Sequence, residues 1–168
     1  LFCASADSRK DFRAMPPTLH LRPYTAADLS DCLHIWRAAS EAGHPFLDAA
    51  ALDADAVLVR DVYIPAAEMT LACEGTQVAG FVAMIGSFIG GLFVSPSHHR
   101  RGIGRGLLQA AAARHGPLSV EVYAANTRAI AFYVSLGFVE TGRRAEDDQG
   151  RPLPLVWMEQ PGARQHAD

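Results

Sequence analysis

The chain has 168 residues, of which 49% are hydrophobic and 20% charged, a balance that fits one globular domain large enough to bury a core. A formal net charge of −3 and a sequence pI near 6.2 exclude a broad electrostatic attraction to nucleic acid or to an anionic membrane. No apolar run approaches the ~18 residues of a membrane span, because glycines and Ser87 interrupt the longest stretch, Val78 to Phe93.

The three cysteines, Cys3, Cys32 and Cys73, are scattered, odd in number and without metal-ligand spacing. That pattern is no disulfide framework; it suits a reducing, cytoplasmic setting and predicts no metal. Residues 1–14 lack the apolar core of a secretory signal. Met15, followed by Pro16 and Pro17, reads as the natural start, with 1–14 a disordered extension or cloning remnant and 15–168 a single domain.

In chain order, Leu19 and Leu21 alternate in a first strand that Pro23 ends. Thr25 to Asp28 reads as a capping box with Asp in place of Glu. Leu29, Cys32, Leu33 and Trp36 then repeat at helical spacing to about Glu41. Gly43-His44-Pro45-Phe46 breaks this helix, and Asp48 opens a second that is expected to stop before Pro65. Three strands follow, Met69 to Cys73, Gln77 to Met84 and Phe88 to Val94, the first two joined by a turn at Gly75. A helix starts at Gly102-Ile103-Gly104 and stops at Gly116-Pro117. Leu118 to Val122 is a fifth strand, Asn126 caps a further helix ending at Gly137, and two strands close the chain as a hairpin around Asp147-Asp148-Gln149-Gly150.

The resulting order is β-α-α-β-β-β-α-β-α-β-β. Residues 88–122 require a parallel crossover while the short turns require antiparallel pairs. The fold class is therefore α/β, in the mixed α+β sense, with a central mixed sheet of about six to seven strands and helices on both faces.

The segment from Leu92 to Leu108 carries the strongest chemical signal: a strand runs into a basic, glycine-rich loop that becomes a helix N-terminus. Unsatisfied N–H groups, a positive macrodipole and small residues together suit a phosphate. Arg100, Arg101 and Arg105 add counter-charge for a pyrophosphate. No Gly-Lys-Ser/Thr follows, and the third position of a dinucleotide fingerprint falls on Leu107, so neither a Walker A loop nor that fingerprint is present. His98-His99 lacks a third ligand at helical spacing and reads as two exposed loop histidines.

A second segment reads Asn126-Thr127-Arg128-Ala129-Ile130-Ala131-Phe132-Tyr133-Val134-Ser135-Leu136-Gly137-Phe138. With His99-Arg100-Arg101-Gly102-Ile103-Gly104 it resembles motifs B and A of the GNAT superfamily of N-acetyltransferases, except that His99 stands at the usual Gln/Arg position. The element order from Thr18 to Met158 is similar to that family too. Gly43 to Phe46, Val59-Arg60-Asp61 and Leu118 to Tyr123 resemble its small bacterial YiaC and YjaB type.

The resemblance implies acetyl transfer from acetyl-CoA, without a metal, to a primary amine by direct attack. The acceptor is a small molecule or a protein or peptide amine, lysine included, and a homodimer is compatible with the fold. It implies that Leu92, Phe93 and Val94 lie along the pantetheine arm, with the N–H of Phe93 or Val94 meeting the thioester oxygen. His99, Arg100, Arg101, Gly102, Ile103, Gly104 and Arg105 would hold the pyrophosphate, and Asn126 the pantetheine.

Tyr133 would protonate the departing thiolate and Glu121 would take the amine's proton. Spacing adds that Asn126 and Tyr133, seven residues apart, share one helix face at about 10 Å along the axis. Glu121 sits between apolar Val120 and Val122, where partial burial would suit a base. The acceptor groove is expected at His44, Phe46 and Trp157, with Glu146, Asp147 and Asp148 able to attract a cation. Two rival readings are a module that binds acyl-CoA without turnover and a dinucleotide-binding protein.

Overall fold

The computed structural model describes residues 19–163; the extension and start expected at 1–14 and Met15 lie outside them. Seven strands form one sheet: β1 (Leu19–Pro23), β2 (Glu68–Glu74), β3 (Gln77–Ile85), β4 (Phe88–Val94), β5 (Ser119–Tyr123), β6 (Val139–Arg144) and β7 (Leu155–Glu159). Their order is β1-β2-β3-β4-β5-β7-β6. The helices are α1 (Leu29–Gly43), α2 (Ala49–Leu58), the single turn α3 (Ile64–Ala66), α4 (Ile103–His115) and α5 (Thr127–Ser135).

Local chemistry explains the helix starts. The Asp28 carboxylate accepts from the Thr25 N–H at 2.8 Å and hydroxyl at 3.0 Å, completing the capping box, and takes two further bonds of 2.8 Å from Arg22. That pairing ties the entry of α1 to β1 and holds the Asp28 carboxyl well below its ordinary pKa. Asp48 caps α2 by accepting from the Ala51 N–H at 2.8 Å. The second helical stretch does not stop before Pro65 as expected. It widens into a π-turn, Val59–Tyr63, and continues through Pro65 in α3. A proline cannot donate to the carbonyl one turn back, and the wider turn makes room for its ring.

The sheet has a core on each face. Ile103, Leu107 and Leu108 of α4 and Tyr133 of α5 pack on Val82, Val120, Val122 and Val156. On the other face Ile35 and Trp36 of α1, Leu52 of α2 and Ile64 of α3 pack on Leu71 and Phe81. Neighbours in one strand, Phe81 and Val82, go to opposite cores, as a two-residue repeat requires. Phe81 is 2% exposed, so truncation to Ala would cost about 3–5 kcal/mol.

One pairing positions the site. β4 and β5 are parallel but meet only at Phe88↔Ser119 and Ile89↔Val120. Immediately afterwards the β3–β4 register slips, Met84 facing Ile89 and Ala83 facing Gly91, so Gly90 is bulged. Beyond it β4 continues along β3 while β5 pairs only with β7, and the sheet splits.

Candidate active site

The split leaves backbone groups of β4 facing an open cleft. The Ser95 N–H bonds the Ala79 carbonyl at 2.8 Å, fixing the side from which β3 is addressed. Strand alternation then turns Phe93 toward β3 as well, which agrees with its carbonyl lying 2.8 Å from where a Cβ on Gly80 would sit. Leu92 and Val94 therefore direct their N–H groups into the split. Of the two donors expected for a thioester oxygen, Phe93 is committed to the sheet and Val94 is not.

The cleft, about 680 Å³, runs from this edge to the start of α4. Gly102 caps α4 in the left-handed region at φ 77°, and the first intrahelical bond, Gly106 N–H to the Gly102 carbonyl at 2.9 Å, leaves the preceding amides at the cleft end. Arg100 also adopts a positive φ, 61°. Every residue expected to hold the donor lines this cleft except Arg101. Arg101 is turned away by Glu74 of β2, to which it donates at 2.8 and 3.1 Å, holding the Glu74 carboxyl at about 2.

The two histidines of the loop behave differently from each other. His98 is buried, not exposed as expected, bonding Glu74 at 3.1 Å and Ser97 at 2.9 Å. His99 is exposed and bonds the Val94 carbonyl at 3.1 Å, fastening the loop to the end of β4.

On the opposite wall Asn126 caps α5, its side-chain oxygen accepting from the Ala129 N–H at 3.1 Å. Tyr133, one face along, is 6% exposed and lines the cleft. Burial alone pushes its hydroxyl pKa up, so the proton stays on at neutral pH. Arg128 also lines the cleft, from the first turn of α5. A cation there opposes the helix dipole, a signal that sequence reasoning could have used.

A second cavity of about 330 Å³ lies between α1–α3 and β4, on the other side of the split. Trp36, Val59, Phe81 and Phe88 give it apolar walls, and Gly90 and Gly91 keep its sheet side low. Among the described residues only His44 and Phe93 line both cavities. The His44 ring sits 5.5 Å from Phe46 and 5.1 Å, edge-on, from Tyr123.

Asp55, which sequence reasoning did not single out, lines this cavity too. One carboxylate oxygen takes a 2.8 Å bond from Arg151, whereas the other is buried without a hydrogen-bond partner. Arg151 in turn binds Asp147 at 2.6 Å, and the Tyr123 hydroxyl donates to Asp147 at 3.0 Å.

The remaining expectations need correction. Glu121 lines neither cavity; both its oxygens accept from Arg144, at 2.8 and 2.5 Å. Two charge-assisted bonds to one guanidinium commit both oxygens to the closing hairpin and to neither cavity. Trp157 stands opposite Glu121 across β5 and β7, stacks on Phe88 at 5.3 Å and donates to Glu159, so it backs the second cavity without lining it. Phe46 likewise supports His44 from behind. Asp147 is buried in the Arg151 network, while Asp148 reaches the cavity rim and pairs with Arg144.

These features suit one kind of donor. A positive helix start, Arg100 and Arg105 at one end of a cleft, and an unpaired strand edge along its length fit a diphosphate joined to an amide-bearing arm, the chemistry of coenzyme A. Fold and site thus define an acyl-CoA-dependent transferase. A family model described as Acetyltransferase (GNAT) domain matches residues 65–140. The peptidyl-lysine N-acetyltransferase YiaC of Escherichia coli is 37% identical over 119 residues, 70% of this chain and 82% of that protein.

The solution structure of apo-form YjaB from Escherichia coli superposes with a TM-score of 0.78 at 32% identity, covering 86% of this chain and 99% of the other. The fold is also that of yncA from Salmonella typhimurium, solved with acetyl-CoA, with a TM-score of 0.61 at 20% identity over 89% of this chain and 97% of that one. The chain belongs to the GNAT family and is an N-acetyltransferase. The readings as a sensor without turnover and as a dinucleotide-binding protein give way to it.

Proposed function

We propose that this chain acetylates lysine side chains of proteins or peptides, using acetyl-CoA, by direct attack of the amine on the thioester. The observation that carries the reading is the meeting of two cavities across the β4–β5 split: a basic cleft suited to the donor and an apolar pocket ending in a buried carboxylate. An apolar pocket accepts a lysine stem, and Asp55 offers its unpartnered oxygen to the ammonium. The names of the YiaC and YjaB relatives support the same acceptor.

In this reading the N–H groups of Leu92 and Val94 orient the donor and polarise its carbonyl. The amine nitrogen bonds the carbonyl carbon, the carbon–sulfur bond breaks, and Tyr133 gives its proton to the thiolate. Cys32 and Cys73 are buried, and burial pushes the Cys32 thiol up to about 12, so neither suits a covalent acetyl carrier. Unpaired buried cysteines also suit action in the cytoplasm. Among the described residues, no helix is long and apolar enough to cross a membrane.

The test offers acetyl-CoA with lysine peptides blocked at the N-terminus, peptides with a free N-terminus and no lysine, polyamines and aminoglycosides. Thiol release with one acetyl gained on the lysine nitrogen is expected. Turnover confined to N-terminal or small-molecule amines would overturn the lysine assignment.

A further inference from the structure

We propose that His44, rather than Glu121, is the general base that takes the proton from the acceptor amine. The proposal rests on the acetyl-transfer reading above and adds to it the group that starts the reaction. Its ground is position: the nucleophile must come from the acceptor cavity and the carbonyl carbon from the donor cleft, and among the described residues His44 and Phe93 alone line both. Phe93 carries no titratable group. Among the described residues His44 is the one ionisable side chain at that junction, whereas Glu121 lines neither cavity and is held by Arg144 through two hydrogen bonds.

The ring is placed by packing, not by polar partners. It follows α1 at the break in the Gly43-His44-Pro45-Phe46 segment, where its backbone N–H bonds the Ser40 carbonyl at 2.8 Å. Phe46 and Tyr123 pack together against the imidazole, at 5.5 and 5.1 Å, with their own rings 5.1 Å apart. No hydrogen bond from a described residue occupies either ring nitrogen, so one remains available as an acceptor.

The titratable and charged groups that line the two cavities with it are Asp55, Tyr63, Tyr123 and Asp148 on one side and His98, His99, Arg100, Arg105, Arg128 and Tyr133 on the cleft side, with Arg151 bonded to Asp55 and Asp147 to Tyr123. Burial pushes the imidazolium pKa below its ordinary 6.5, and the Asp55 charge opposes that only in part. The neutral, proton-accepting form therefore prevails at neutral pH and is lost in acid.

Protons balance without a co-reactant. The bound ammonium first passes one proton through His44 to solvent, and the resulting amine yields a second to His44 as nitrogen bonds the carbonyl carbon and the carbon–sulfur bond breaks. Tyr133 protonates the leaving thiolate, and the imidazolium and tyrosinate return to their starting states through solvent. The net products are the acetamide, free coenzyme A thiol and one proton released to solvent.

The experiment measures kcat/KM against pH for the full chain with acetyl-CoA and an N-terminally blocked lysine peptide, and in parallel with small primary amines. Wild type, His44→Gln, His44→Ala and Glu121→Gln are compared. Wild type should show an acid limb with its midpoint below 6.5, and His44→Gln should lose that limb with kcat/KM down about 100-fold. Imidazole added to His44→Ala should restore part of the rate, a response that a structural role would not give.

Calorimetric binding of acetyl-CoA checks that each variant is folded. If both His44 variants fail to bind it, the acid limb in Glu121→Gln decides: its retention supports His44 and its loss overturns the proposal. An acid limb retained in folded His44→Gln overturns the proposal and leaves acetyl transfer standing. A wild type that acetylates no primary amine sinks the reading beneath it, and the proposal with it.

Discussion

Arg144 reaches from β6 across β7 to grip both oxygens of Glu121 on β5, and its Nη2 also donates to Asp148 at 2.7 Å. The clamp joins the closing hairpin to the strand that forms one wall of the split. A carboxylate that reads in sequence as a base thus serves, in three dimensions, as a tie between strands.

Replacing Glu121 by Gln should accordingly act on stability first. Glu121 is 19% and Arg144 38% exposed, so solvent screening limits the pair to about 1 kcal/mol. For a chain of this size that amounts to a fall of about 2–4 °C in Tm. Thermal melts alongside steady-state rates test this; a loss of activity larger than about tenfold at full folding would contradict it.

Tyr133→Phe should retain acetyl-CoA binding and lose about 100-fold in turnover, since the ring packing survives while the proton donor does not. A pH consequence accompanies this. Because burial raises the folded-state pKa above 10, the unfolded chain releases the proton first, and stability is present below pH 10 and declines above it. Tyr123 is raised as well, so the variant should lessen the alkaline decline and not abolish it. Melting temperatures from pH 9 upward in both proteins read this out.

Glu74 should govern part of the acid stability. Its carboxyl falls from an ordinary 4.5 to about 2, chiefly through Arg101 and then His98. A depressed folded-state value means a contribution that is complete above pH 4.5 and disappears as pH drops through about 2. Glu74→Gln should melt lower at neutral pH, with a flatter profile across that window. A profile parallel to wild type would show that the Arg101 pairing does not stabilise the fold.

Gly80→Ala should impair catalysis from outside the site. The added methyl would meet the Phe93 carbonyl at 2.8 Å and both Ile103 and Val94 at 3.3 Å, pressing on the strand that lines the cleft. Such overpacking costs about 1–3 kcal/mol. Displacement of Val94 should raise the KM for acetyl-CoA as kcat falls. Kinetics identical to wild type would mean that the position of β4 is not critical.

Much of the architecture is legible in one dimension because it depends on local rules. Two-residue alternation marks the strands, caps at Thr25, Asp48 and Asn126 mark helix starts, and glycine at position 102 meets a backbone need that other residues satisfy poorly. The continuation through Pro65 was not legible, since a π-turn depends on how the helix packs. Nor could charge alone separate Arg101 from Arg100, because the choice depends on Glu74 lying 27 positions earlier and close in space.

The sequence by itself determined the class of fold, the basic glycine-rich segment that enters α4 and the shared helix face of Asn126 and Tyr133, since each is written in contiguous residues whose spacing matches a single element. Tertiary structure alone decided which ionisable groups are free to act. Glu121 is captured by Arg144, 23 positions away, while His44 is brought to the junction of two cavities by α1 and β5. The reason is physical: a proton acceptor is defined by its partners and its distance from the reacting atoms, and both are set by contacts between segments remote in the chain.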